Sequence, residues 1–327
     1  MATDRPTPEP LDSAASIAPA VLVLPAVAFD PPFDERELWL ERLPIETAYE
    51  IPGADGPLYV TADTRVAVTT TGLGKAPAAT TVAALWGAGG LDLSETYWLS
   101  AGIAGSAPAR AALGSVVVAD AILDWDRKHR WDPTELGPPT EGDNVNDPSP
   151  ARDADRSAVE QLAYLPEDAL FDVEPALVEL ARDAASDVAL TTDRGVRDYQ
   201  ETYPDAPASA PAVDVGPTVT SDEFWHGTGV AREVDSLAAA YGIDPYVTTQ
   251  MEDAATATAL GRFDAADRYL SLRAVANYDR PAPGETVHDS FEGTTDSVAL
   301  ARENVVRVGL AVVDRLCELA ARTRSGD

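Results

Sequence analysis

Apolar residues occur along this chain in two patterns. Residues 20–24 (AVLVL) and 65–70 (RVAVTT) form short, nearly continuous apolar runs, which are typical of strands buried on both faces of a sheet. Residues 78–86 are rich in alanine, and the long segment 297–322 places apolar side chains on one helical face. Because strands and helices alternate, the pattern predicts an α/β fold: a single domain with a central twisted mixed sheet flanked by helices.

The same patterns extend along the whole chain. Further strands are predicted at residues 96–100, 113–122, 213–219 and 268–275, and further helices at residues 33–43, 176–185 and 249–260. Residues 1–18 are predicted to form a disordered tail, so the folded domain comprises residues 19–325. Two polar, proline-containing segments, residues 131–158 and 204–211, are predicted to be exposed insertions within that domain.

The charge of the chain restricts its partners. With 24 Lys and Arg against 55 Asp and Glu, the formal net charge is −31, and Lys75 and Lys128 are the only lysines. Such an acidic chain repels phosphate groups, which argues against nucleic acid as a partner and against binding to an anionic membrane surface. Like charges in this number also oppose compaction, and ~1 M salt would screen them because the Debye length falls to about 3 Å. The composition therefore predicts a halophilic protein.

Cysteine, histidine and hydropathy patterns narrow the class further. Cys317 is the only cysteine; it permits no intramolecular disulfide and is predicted to be a small core residue. The three histidines are not spaced as metal ligands, so neither a metal nor a cofactor is expected. The longest apolar run, residues 17–29, is broken by two prolines and is shorter than the ~20 residues of a membrane-spanning helix. Residues 1–18 lack the apolar segment of a secretory leader, so we expect a cytoplasmic protein.

Two glycine-containing segments are candidates for ligand contact. Gly72, Gly74 and Lys75 follow a predicted strand and precede a helix, where backbone N–H groups are free to bind an anion or a hydroxyl group. A second turn with Ala104 and Gly105 is predicted at the end of the next strand. Taken alone, the first segment is better explained as an ordinary tight turn between strand and helix.

Five segments of the chain occur in an order that resembles the nucleoside phosphorylase and nucleosidase superfamily. Residues 68–80 (VTTTGLGKAPAAT) resemble its TGxGKxNAA segment, and residues 97–122 its TGIAG and GDVV segments. The remaining three are residues 220–224, 250–252 and 273–277, similar to the superfamily segments SGDxF, EME and RxxSD. The purine nucleoside permease branch is more similar still, through residues 96–105, 224–227, 252–255 and 273–284. The resemblance implies a nucleoside phosphorylase-like fold, a purine nucleoside as ligand and, in some relatives, a homo-oligomer.

The resemblance also implies roles for single residues. Glu252 matches the glutamate that accepts hydrogen bonds from the ribose 2′ and 3′ hydroxyls, although an acid here also suits the first turn of a helix. Met251 matches the methionine beside the sugar, and Phe224 the aromatic residue that stacks on the base. His226 is placed to reach the sugar 5′ side. Core packing is the alternative for Phe224, and a structural role for His226.

The resemblance leaves the catalytic acid open. Asn277 occupies the position at which many relatives carry an aspartate that protonates purine N7, and asparagine cannot donate a proton in this way. It can still bind N7 and a 6-position substituent, and Asp279 is the nearest true acid. These two residues are the catalytic candidates.

The nucleophile decides between two reactions. No glycine follows the first strand, and the nearest basic residues to a phosphate site are Arg36, Lys75 and Arg110. Asp30 and Glu35 instead form an acidic entrance that suits activation of water. We therefore favour hydrolysis over phosphorolysis, with phosphate still open as a co-substrate.

Two other functions remain open on the sequence. One is a nucleoside-binding protein that serves transport without chemistry, although a chain without a spanning segment cannot by itself form a pathway through a bilayer. The other is an inactive relative, suggested by Ala276 and Asn277 in place of Ser-Asp.

Overall fold

The computed structural model describes residues 5–135, 158–165, 169–243 and 245–325. Its strands are β1 (Glu9–Pro10), β2 (Val21–Leu24), β3 (Ile45–Glu50), β4 (Leu58–Thr61), β5 (Val66–Val68), β6 (Tyr97–Ser106), β7 (Val116–Asp124), β8 (Lys128–Arg130), β9 (Val159–Gln161), β10 (Leu170–Asp172), β11 (Val213–Thr220), β12 (Thr248–Gln250) and β13 (Tyr269–Tyr278). Its helices are α1 (Glu37–Arg42), α2 (Lys75–Gly87), α3 (Pro175–Ala185), α4 (Arg194–Gln200), α5 (Thr228–Ala240), α6 (Asp253–Gly261), α7 (Val287–Ser290) and α8 (Thr295–Ser325).

Within the described residues, eleven strands form one mixed sheet, in agreement with the predicted α/β class. Strands β5, β2, β6 and β13 lie side by side and run parallel. Strand β13 also pairs with β7, β7 with β11, β11 with β12, and β12 with β6, so these five strands close into a ring. The two-stranded sheet of β8 and β9 lies apart from it.

Burial explains why these segments became strands and helices. All four residues of β2 are buried, as the run of apolar residues predicts for a strand covered on both faces. Helix α8 buries Val298, Val305 and Val312, which recur every seven residues on one face, and packs on β13 and β6. Cys317 on the same helix is 6% exposed, which confirms it as a small core residue.

Two predicted elements are wrong at their edges. Residues 9–10 pair with Tyr49 and Glu50, so the described part of the predicted disordered tail contributes a strand; residues 1–4 lie outside the described residues. The helix predicted at 33–43 begins only at Glu37. Of the two predicted insertions, residues 204–211 form a loop between α4 and β11, whereas residues 136–157 of the first lie outside the described part.

The second glycine turn, predicted at residues 101–105, is also wrong. These residues continue β6, because the strand is paired with β13 from Trp98 to Ser106. Gly102 is instead needed for close packing: a Cβ at this position would lie 2.6 Å from Glu35 Oε1. The glycine makes room for a buried carboxylate beside the strand.

Candidate functional site

A cavity of about 460 Å³ lies where several strands end. Its wall is built by the segments that follow β2, β5, β11 and β12, by the last residues of β6 and β13, and by residues near the start of α8. The lining is mainly apolar, with a few carboxylate, amide and guanidinium groups directed into it. A concave apolar site with few polar groups is the usual form of a small-molecule site.

Glu35 is the most deeply buried carboxylate of this wall that has no side-chain donor. It is 4% exposed, and its two oxygens accept hydrogen bonds from the backbone N–H groups of Ala26 (2.7 Å) and Ile103 (2.6 Å). Burial raises the pKa of Glu35, although the Ile103 N–H and nearby Arg273 act in the opposite direction. The two backbone hydrogen bonds therefore hold the side chain in place, and the raised pKa makes its carboxylate a stronger base than that of an exposed glutamate.

Glu252 lies on the same cavity, immediately before α6. Its side chain does not cap the helix; it accepts a hydrogen bond from Gly74 N–H (3.0 Å) and pairs with Arg273 Nη2 (3.4 Å). Burial raises the pKa of Glu252 to about 7, against the lowering effect of Arg273 and the Gly74 N–H. Capping is thus the wrong explanation for this acid.

Arg273 joins these carboxylates from the middle of β13. Its guanidinium donates to Asp253, which also accepts hydrogen bonds from Tyr269 Oη (2.9 Å) and Ser271 Oγ (2.6 Å). Glu35, Glu252, Asp253 and Arg273 are hereafter the Glu252 cluster. It places three carboxyl groups around one guanidinium, all at most 4% exposed, so the carboxyl groups outnumber the cation.

Asn277 reaches the cavity because β13 bulges. The strand pairing skips Ala276 between Val275 and Asn277, and such an extra residue re-aims the side chains that follow it. The Asn277 amide donates from Nδ2 to the backbone carbonyl of Phe291 (2.7 Å). The bulge therefore brings Asn277 onto the wall and ties it to the turn that precedes α8.

Aromatic and aliphatic side chains surround the mouth of the cavity. Phe29, Leu73 and Phe224 line it and are 54%, 39% and 62% exposed. The Phe224 ring lies 6.2 Å from that of Phe291 at 58°. Core packing is therefore wrong for Phe224, whose ring is free to contact a ligand at the mouth.

Seven of the predicted site residues line this one cavity: Ala104, Gly105, Phe224, Met251, Glu252, Asn277 and Asp279. The structure does not leave Asp279 free as an acid, because its carboxylate accepts hydrogen bonds from Tyr246 Oη and Arg280 Nε. Arg280 Nε lies 2.6 Å from one carboxylate oxygen and Tyr246 Oη binds the other, so both oxygens of Asp279 have partners within the protein.

Four predicted residues lie off the cavity wall. Gly72 and Gly74 have positive φ angles of 81° and 89° and form the turn into α2. Of the two, Gly74 contacts a residue of the site, since its N–H donates to Glu252. His226 donates to or accepts from Ser290 Oγ (2.8 Å) and packs edge-on against Phe291, and burial lowers its pKa. The geometry thus fits the structural alternative for His226.

Lys75 is the clearest correction. Its ammonium lies between Asp124 (2.9 Å) and Asp126 (2.8 Å), and its backbone N–H donates to Asp222. Burial lowers the pKa of Lys75, but the hydrogen bonds to the two aspartates outweigh it and raise the pKa overall. Lys75, Asp124 and Asp126 are hereafter the Lys75 cluster. The positive charge of Lys75 is compensated by the two aspartates, and the residue does not line the cavity.

Two residues of the site, Glu35 and Arg273, were not predicted from the sequence to contact a ligand. Glu35 was recognised only as part of an acidic entrance together with Asp30; the structure buries Glu35 and exposes Asp30. Arg273 carried a signal that went unused, since a charged residue inside an apolar strand must find partners when the strand is buried.

Comparison with known proteins agrees with the motifs and the fold. The purine nucleoside permease (NUP) family profile matches residues 18–320. The chain belongs to the purine nucleoside permease family. This family member is 30% identical over 258 residues to a probable purine nucleoside permease of Schizosaccharomyces pombe, covering 76% of this chain and 74% of the relative. It is 26% identical over 301 residues to the purine nucleoside permease of Candida albicans, covering 85% and 71% of the two chains.

Solved structures place this purine nucleoside permease family member in the nucleosidase fold. A 5′-methylthioadenosine/S-adenosylhomocysteine nucleosidase from Colwellia psychrerythraea, in complex with adenine, aligns with a TM-score of 0.56 at 20% identity, over 92% of this chain and 96% of the other. The futalosine hydrolase of Helicobacter pylori gives 0.55 at 17% identity, over 90% and 97%. Among the helices in the described part of the chain, none has the length and apolar composition needed to cross a membrane.

Proposed function

We propose that this protein hydrolyses the N-glycosidic bond of purine nucleosides. The observation that carries the proposal is that Glu35 and Glu252, both buried, line one cavity together with Asn277. Cleavage of this bond passes through a cation-like sugar, so carboxylates on the cavity wall favour the transition state. The fold shared with nucleosidases and the family name both agree with a nucleoside ligand.

The role of each side chain follows from the hydrogen bonds that it can still make to a ligand. Glu252 uses one oxygen for Gly74 N–H and the other for Arg273, and an ionised carboxylate retains acceptor capacity for the vicinal ribose hydroxyls. Glu35 takes a proton from water, whose oxygen attacks C1′ while the bond to the base breaks. Asn277 contacts the base, and Phe224 stacks on it at the mouth. Since Asn277 has no acidic proton and Asp279 is paired with Arg280, the departing base takes its proton from water.

The charge of the cavity favours water over phosphate as the nucleophile. Of the described lining residues, Arg273 is the basic one, and its guanidinium is already bound by Asp253 and Glu252. Lys75 is held in its own cluster, and Arg36 does not line the cavity but stacks over the Tyr59 ring. A phosphate dianion would thus approach Glu35 and Glu252 without a free cation to receive it.

A second candidate is a nucleoside-binding protein that serves uptake without chemistry. The names of the curated relatives favour it, since both are called permeases. It requires the same ligand contacts but no role for Glu35.

Release of free purine from nucleosides, measured in molar salt with and without phosphate, tests the proposal. We expect release that does not depend on phosphate, and a drop of about 100-fold or more in kcat/KM for Glu252→Ala because the ribose contact is lost. Release only with phosphate would replace hydrolysis by phosphorolysis. Saturable binding without release would favour the second candidate.

A further inference from the structure

One face of β13 carries polar side chains in a buried part of the sheet. Tyr269, Ser271 and Arg273 alternate along the strand, so their side chains point to the same side, and each is at most 3% exposed. Polar groups buried in this way need partners within the protein. All three donate to the same group, the carboxylate of Asp253, which begins α6 and is 0% exposed.

Within the described part of the chain, four side-chain hydrogen bonds converge on the Asp253 carboxylate. Oδ1 accepts from Tyr269 Oη (2.9 Å) and Arg273 Nη2, and Oδ2 accepts from Ser271 Oγ (2.6 Å) and Arg273 Nε (3.1 Å). Burial raises the pKa of Tyr269 well above its usual value, so its hydroxyl remains a neutral donor. An ionised carboxylate fits these donors, and two parallel bonds fix a guanidinium in position. Asp253 therefore holds Arg273 and compensates its charge.

The guanidinium bound in this way borders both glutamates of the cavity. Arg273 Nη2 reaches Glu252 Oε2 at 3.4 Å, a longer contact than its bonds to Asp253. Arg273 Nη1 and Glu35 Oε1 lie 3.1 Å and 2.6 Å from the position that a Cβ on Gly102 would occupy, so both side chains border this glycine. Asp253 does not line the cavity, so its effect on a ligand must pass through these neighbours.

The charged groups around Glu252 come from three segments: Arg273 from β13, Glu35 from the segment after β2, and Asp253 from α6. Burial, the largest effect, raises the pKa of Glu252 to about 7; Arg273 lowers it, whereas Glu35 and Asp253 raise it. Burial also raises the pKa of Glu35, and Arg273 again acts in the opposite direction. The charge of Arg273 that reaches the two glutamates thus depends on how much of it Asp253 compensates.

We propose that Asp253 is a positioning residue for the reaction and acts through Arg273. By binding two N–H groups of the guanidinium, it leaves Glu252 free to bind the ribose and Glu35 free to take a proton from water. The inference rests on the proposed function, in which the two glutamates perform these steps. Without Asp253, Arg273 would pair with the glutamates instead, so both would be charged at lower pH and each would be a weaker base.

The pH dependence of kcat/KM in the unmodified protein and in Asp253→Asn tests this role. The acid limb should have its midpoint near 7 in the unmodified protein and about one pH unit lower in the variant, with a plateau reduced by about tenfold or less. A purely structural role would lower the rate at every pH without moving the midpoint. An unmoved or raised midpoint in the folded variant would overturn the inference, as would a midpoint below about 5 in the unmodified protein.

A double variant covers the case in which Asp253→Asn does not fold. Asp253→Asn combined with Arg273→Met removes both charges, and neutral replacement of a buried ion pair is often tolerated. Because the two charges compensate each other, the midpoint should lie within about half a pH unit of that of the unmodified protein. A midpoint raised by about one unit or more would show that Arg273 acts on the glutamates without compensation, and would contradict the proposal.

Nucleoside binding separates this inference from the proposed function. The pH dependence of the calorimetric Kd for adenosine reports Glu252 whether or not base is released, and its midpoint should move in Asp253→Asn as that of kcat/KM does. Asp124→Asn, which removes a buried aspartate from the Lys75 cluster, is the control and should leave the midpoint unmoved. A moved midpoint in binding without base release would support the role of Asp253 and refute the hydrolase. Absence of nucleoside binding at every pH would overturn both.

Discussion

The Glu252 cluster and the Lys75 cluster are built from the same kinds of groups and have opposite consequences. In the Lys75 cluster one ammonium lies within 2.9 Å of two aspartates, so every charged group has a partner and one formal negative charge remains. In the Glu252 cluster the guanidinium of Arg273 is shared mainly with Asp253 and Glu252, while Glu35 is held by backbone N–H groups. In the Lys75 cluster each charged group is paired with another member of the cluster. In the Glu252 cluster the carboxylates of Glu35 and Glu252 line the cavity and can still accept hydrogen bonds from a ligand.

This difference teaches how a charged cluster in this fold is used. Where every charged group has a partner, the ion pairs hold neighbouring segments together. Lys75 joins the start of α2 to the end of β7, and Asp222 joins both to the segment after β11. Burial raises the pKa values of Glu35 and Glu252, and because both line a cavity, a ligand can reach them to donate a hydrogen bond or a proton.

The largest effect is expected from Glu35→Gln. The amide keeps the shape of the side chain but cannot accept a proton from water, so base release should fall by about 100- to 10,000-fold while nucleoside Kd changes little. Single-turnover base release and calorimetric binding measure the two quantities separately.

Asp124→Asn is the matched control for Glu35→Gln, because it also removes one buried negative charge near a cation, in the Lys75 cluster. It should alter stability and leave turnover within a few-fold. Equal losses of turnover in the two variants would show that the clusters do not differ as proposed.

The pH profile should report the Glu252 cluster. Burial raises the pKa of Glu252 to about 7, and Glu35 is raised as well, so both must lose a proton to act. We expect kcat/KM to rise with pH up to about 7, by about tenfold per unit if one group titrates and more steeply if both do. A profile flat between pH 5 and 8 would contradict these roles.

Stability should change with pH in the opposite sense. A carboxyl whose pKa is higher in the folded than in the unfolded chain favours folding when protonated. Its contribution is therefore present below about 4.5, the ordinary value for Glu, and is lost as the pH rises through about 7. Thermal unfolding of Glu252→Gln should lack this part of the pH dependence, and comparison with the unmodified protein isolates it.

Much of the fold was accessible from the sequence, and the site only in part. Runs such as that of β2 and the long pattern of α8 depend on local periodicity, which a sequence shows directly. The glycines of β6 were misinterpreted because glycine occurs both in turns and at close contacts. Here Glu35, 68 residues before Ile103 of β6, supplies the close contact. The ion pair of Lys75 could not be predicted either, because Asp124 is 49 residues away in the chain and only the fold brings the two together.

The smallest effect on turnover is expected from Lys75→Met, although a lysine in a GxGK segment would suggest the reverse. Since the ammonium binds Asp124 and Asp126 and does not line the cavity, its loss should leave kcat/KM within a few-fold, with or without phosphate. It leaves the buried Asp124 and the partly buried Asp126 without their cation, so the free energy of unfolding should fall by about 1–3 kcal/mol. Denaturant unfolding and base release on the same preparation measure both. A loss of turnover comparable to that of Glu35→Gln, at unchanged stability, would show that Lys75 acts in the active site. It would also favour phosphate over water as the nucleophile.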